Sequence, residues 1–130
     1  MSNSIQTPEE RVWKIRILRS NPDEIHPENS YLKLSDGGLT LCDPLDSIQW
    51  IVDQTKADIE ENGEITSILI QGDAISNFFI ASTQKENEFF KKWTGKVRRD
   101  LQPGDVSKYT IYWSQKGNVY CFDPKIQINP

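Results

Sequence analysis

The sequence predicts a single α+β domain: a mostly antiparallel sheet built from hairpins, with two helices packed on it, in the order β-ββ-α-ββ-α-ββ. Three observations carry this. Stretches of strict apolar alternation are interleaved with stretches whose apolar residues recur at three and four. Glycine-rich turns join neighbouring strand-like runs. No repeat or linker divides the 130 residues, and a chain of that length buries about two-thirds of its unfolded surface, enough for one core.

Residues 1–10 are polar and read as a flexible arm, residues 11–123 as the domain, and residues 124–130 as an irregular tail. Arg11 to Arg19 alternates, with Trp13, Ile15 and Ile17 on one face and Lys14, Arg16 and Leu18 on the other. That is the pattern of a half-buried strand. Two prolines mark Asn21 to Ser30 as a loop. Tyr31 to Ser35 and Leu39 to Cys42 then flank Asp36-Gly37-Gly38 as a hairpin, with Leu32, Leu34, Leu39 and Leu41 expected in the core.

Asp43-Pro44 opens a predicted helix that Asn62-Gly63 closes. Asp caps, Pro at the first helical position and Gly past the last turn are the expected punctuation. Leu45, Ile48, Ile51, Val52, Thr55 and Ile59 share one face of it, whereas Trp50 falls among Asp46, Asp53, Gln54 and Ala57 on the other. A Trp left in water wastes a large apolar area, so part of the protein or a partner should cover it.

Ile65 to Gln71 reads as a central strand, apolar on both faces. The next stretch is either a strand from Ile75 to Ala81 or a helix capped by Asp73. The capping box Thr83-x-x-Glu86 ahead of a second helix favours the strand. From Gln84 to Leu101, Phe89, Phe90, Trp93, Val97 and Leu101 recur at helical spacing, with Gly95 inside. A last hairpin runs from Lys108 to Ser114 and from Val119 to Phe122.

The composition is that of a soluble fold, with 36% hydrophobic and 26% charged residues. A net charge of −4 argues against DNA or an anionic membrane as the main partner. There is no long apolar run and no signal-like start, and Cys42 and Cys121 have neither CxxC spacing nor a disulfide framework. The chain reads as cytoplasmic.

Few residues offer chemistry. His26 is the single histidine, and in an extended loop it would project beside Glu24 and Glu28 as a weak metal or acid/base constellation. Phosphate-binding glycine motifs and nucleophile elbows are missing. No cofactor is implied. The basic run Lys91, Lys92, Lys96, Arg98 and Arg99 would put Lys92, Lys96 and Arg99 on one helical stripe, facing solvent, an acidic protein surface or nucleic-acid phosphates.

The last hairpin has aromatics on both faces, with Tyr109, Ile111 and Trp113 on one side and Tyr112 on the other, while Tyr120 and Phe122 share a side of the return strand. Surplus Tyr and Trp resemble interface anchors. The expectation is therefore a small protein-binding module: an inhibitor, an immunity-type protein or a regulatory subunit. Its contact residues would be Trp50, Asp53, Ala57, Lys92, Lys96, Arg99, Tyr112 and Tyr120, meeting another protein or a second copy of itself. The alternatives are an enzyme or metal-binding protein using His26 with Glu24 and Glu28, and nucleic-acid binding through the basic helix.

Overall fold

The computed structural model describes residues 11–72, 77–80, 84–85 and 91–130. The expected arm, residues 73–76 and 81 of the strand-or-helix stretch, the capping box Thr83-x-x-Glu86 at both its ends, and residues 86–90 of the second helix lie outside them. Eleven strands are described: β1 (Val12–Asn21), β2 (Tyr31–Leu34), β3 (Leu39–Cys42), β4 (Ser47–Val52), β5 (Ile65–Gln71), β6 (Gln84–Lys85), β7 (Lys92–Lys96), β8 (Val106–Lys108), β9 (Thr110–Gln115), β10 (Asn118–Phe122) and β11 (Lys125–Ile128). One α-helix, α1 (Lys56–Asn62), stands among them. They form three sheets, ordered β2-β1-β4-β7-β6, β10-β9-β5 and β3-β11-β8. A single apolar cluster draws side chains from all three.

The molecule is thus mostly β, which corrects the expected pair of helices on a hairpin sheet. The first predicted helix is half strand. In Ser47–Val52, Ile48 and Trp50 are buried while Gln49 and Ile51 are only partly covered, a two-residue period. β4 runs parallel to β1 and antiparallel to β7, so both its edges are paired. Pairing on both sides outweighs the helical spacing of Leu45, Ile48 and Ile51. Helix begins only after Thr55, whose hydroxyl accepts the Asp58 N–H, and ends at Gly63 with φ 88°.

The described residues of the second predicted helix hold strand instead, in β6 and β7. Lys92–Lys96 alternates, with Trp93 and Gly95 inward and Lys92, Thr94 and Lys96 outward. Trp93 lies directly opposite Trp50, and Gly95 opposite Ile48. Nor is the sheet mainly a chain of antiparallel hairpins, because β1 with β4 and β3 with β11 are parallel pairs. The expected β2–β3 hairpin splits: β2 pairs with β1, whereas β3 crosses to β11. In β3 it is Thr40 and Cys42 that are buried, leaving Leu39 and Leu41 exposed. The residues after Asp123, expected to be irregular, supply β11, with Ile126 and Ile128 in the core.

The Arg11–Arg19 strand forms and runs on to Asn21 before the loop, and the last hairpin forms from β9 and β10, with Lys108 belonging instead to β8 in another sheet. Lys116 and Gly117 both have positive φ at the hairpin's tip, the two-residue turn that suits strand twist. Ile65, Ile68 and Ile70 face inward from β5, but among the described strands it pairs with β9, and Leu69 is exposed.

Candidate interaction groove

The structure disperses the residues expected at an interface. Trp50 is 0% exposed, held edge-on by Phe79 and Tyr109. The cover it required comes from within the subunit, so it offers no surface anchor. Tyr120 is buried beside Trp113, with ring centroids 5.4 Å apart. Tyr112 is half-buried on the outer side of β9, in register with exposed Leu69 on β5 and Cys121 on β10. Asp53 is exposed and pairs with Arg16 at 3.2 Å; Ala57 is exposed on α1. Lys92 and Lys96 flank Thr94 on the outer face of β7, and Arg99 lies beyond its end, so no helical basic stripe exists.

The metal or acid/base constellation does not assemble either. Asp23 Oδ1 accepts the N–H groups of Ile25 and His26, shaping the loop. His26 Nδ1 lies 3.6 Å from Glu28, both side chains largely in water. Among the described residues no three His, Cys, Asp or Glu side chains gather to hold a metal. No helix is long and apolar enough to cross a membrane.

What the fold does build is a groove of about 260 Å³ between β1 and β3. β1 contributes Trp13, Lys14 and Ile15, β3 contributes Leu39, Thr40 and Leu41, and Asp36 stands at the turn between β2 and β3. Ile15 and Thr40 form a buried floor. Trp13, Leu39 and Leu41 are 41%, 41% and 47% exposed, a local concentration of uncovered hydrocarbon.

The backbone sharpens the picture. Arg11 and Ile17 direct their carbonyls to β4, accepting from Ser47 and Asp53, so the odd residues of β1 serve that ladder. The even residues face the opposite way. Arg16 is satisfied there, its N–H by the Ser35 hydroxyl and its carbonyl by the Ser35 N–H. Among the described residues no strand flanks Lys14 on that side, because β2 pairs only from Ile17 onward. In β3, Gly38 and Cys42 accept from Lys125 and Asn129, so its even residues serve β11. Leu39 and Leu41 therefore aim their peptide groups away from β11. Among the described residues no strand pairs with that edge. Two open strand edges thus border one apolar groove.

The walls are rigidly set. Asp46, 4% exposed, accepts from Arg11 Nη2 at 3.1 Å, from Trp13 Nε1 at 2.7 Å and from the Asp43 N–H at 2.8 Å. The Arg11 guanidinium also lies 5.2 Å from the Trp13 ring centroid and pairs with Asp43. This fixes the indole at the groove's end and, chiefly through the Asp46 hydrogen bond, raises the Arg11 pKa above its ordinary value. On the other wall Asp36 accepts the Gly38 N–H and the Thr40 hydroxyl.

Trp13, Leu39 and Leu41 were not legible as surface residues. Their alternation is that of a core face, and only the exchange of β3 from β2 to β11 turns the leucines outward. Comparison of the sequence with protein-family models and with curated proteins finds no match to either.

Proposed function

We propose that this chain is a small protein-binding module whose partner lays an extended segment into the groove between β1 and β3. One observation carries the reading: the peptide groups of Lys14, Leu39 and Leu41, which pair with no strand among the described residues, border the same groove as the exposed Trp13, Leu39 and Leu41 side chains. An incoming strand would gain main-chain hydrogen bonds from the edges and apolar contact from the walls, the two ingredients of strand addition. Open edges attract such pairing unless they are covered. Two free thiols, Cys42 and Cys121, support a reducing cytoplasmic setting.

Titration of the protein with strand-forming peptides, followed by amide NMR, tests this. Shifts should concentrate at the Lys14, Leu39 and Leu41 amides and at the Trp13 indole. Perturbation confined to the Leu69–Tyr112–Cys121 face, with the groove unchanged, would refute it.

A further inference from the structure

Resting on the groove reading, we propose that the segment it accepts is acidic, alternating carboxylate and apolar side chains. The charges around the groove are unequally committed. Lys14 lines it, and Lys125 on β11 lies in register beside Leu39 and opposite Lys108 on β8. All three are exposed, and none has an ion pair among the described residues. Like charges directly opposite on one sheet face repel, so the Lys125–Lys108 pair disfavours the empty state and rewards an anion.

The neighbouring carboxylates are already engaged. Asp43 and Asp46 hold Arg11, and Asp36 accepts from Gly38 and Thr40. Positive charge therefore stands at one wall of the apolar slot in Lys14 and flanks the other in Lys125, on a protein whose net charge is −4. A strand's side chains alternate between faces. Apolar residues on its inward face would meet the Ile15 and Thr40 floor and Trp13, while carboxylates on its outward face would lie beside Lys14 and, across Leu39, approach Lys125. Such complementarity mainly sets selectivity and association rate.

The test uses three short peptides that alternate valine with glutamate, glutamine or lysine, measured against the full chain by fluorescence anisotropy. The glutamate peptide should bind about tenfold more tightly than the glutamine peptide, a difference of ~1.4 kcal/mol. That advantage should shrink as ionic strength rises above the physiological ~0.15 M, where charges are screened beyond about 8 Å. The double variant Lys14→Glu/Lys125→Glu, altered only at exposed positions, should prefer the lysine peptide. Equal binding of all three peptides in the groove would overturn the acidic preference while leaving strand addition intact. Binding of none would overturn both.

Discussion

The indole N–H of Trp50 donates to the phenol oxygen of Tyr109 at 3.1 Å, and both side chains are sealed from solvent. The bond links β4, in the middle of the five-stranded sheet, to the residue that leads into β9. Tyr109→Phe leaves a buried donor unsatisfied and should cost about 1–3 kcal/mol. Trp50→Ala removes the largest wholly buried side chain and should cost about 3–5 kcal/mol. Urea denaturation separates the two. A Trp50→Ala protein as stable as the parent would contradict the packing described.

Asp58 supplies a second internal fastening. Its carboxylate is fully buried and accepts from the Ser20 N–H at 3.1 Å, Gln54 Nε2 at 2.6 Å and Asn62 Nδ2 at 2.9 Å. Gln115 Nε2 extends the network to the Ser20 hydroxyl and the Gly63 carbonyl, both at 2.8 Å. Asp58→Ala would strand several donors at once, so a loss of about 3 kcal/mol or more is expected. Hydrogen exchange at the Ser20 amide should accelerate with it, because α1 loses its attachment to β1.

Burial pushes the Cys42 thiol up to about 12, assisted by the nearby Asp46 and Asp43 charges, and burial likewise raises the Tyr109 phenol. Both groups keep protons in the folded chain that the unfolded chain releases. Their contribution is complete below the ordinary cysteine value of 9.0 and is lost progressively as pH climbs from there towards 12. The slope should reach as much as ~1.4 kcal/mol per pH unit for each group. Urea midpoints measured across this alkaline range should fall, and less steeply in Cys42→Ala.

The same burial separates the two thiols kinetically. Cys121 is exposed and should react promptly with a thiol reagent, while Cys42, buried and 3.6 Å from the Gln127 carbonyl, should react only on unfolding. Two thiols titrating at one rate in the folded protein would contradict this arrangement.

Leu41→Glu places a negative charge in the groove at an exposed position. Stability should change by no more than about 0.5 kcal/mol, whereas peptide binding should weaken by about tenfold or more. Leu69→Glu, on the face of the other three-stranded sheet, is the matched control and should leave binding unchanged.

Local patterns foretold elements whose neighbours are close in sequence. The turn at Lys116-Gly117 and the alternation of Trp13, Ile15 and Ile17 are examples. They failed where a segment satisfied two periods at once. Ile48, Ile51, Val52 and Thr55 fit a helix, while Ile48, Trp50 and Val52 fit a strand equally well. Trp50 on the supposed polar side was the sign that the strand period applied. In Lys92–Lys96, Gly95 was the corresponding sign, tolerated opposite Ile48 in the sheet but unfavourable in a helix. The groove had no local signature, because its open edges exist only through the pairing of β3 with β11.

That pairing also governs when the protein can fold. Cys42 meets Gln127 across 85 positions of chain, and a parallel ladder cannot be closed by a local turn. On the ribosome β3 must wait for residues 125–128 before its buried side has a neighbour. Distant pairings of this kind slow folding towards the millisecond-to-second regime. The nascent chain spends that interval with sticky strands on display, the period in which assistance from chaperones matters most.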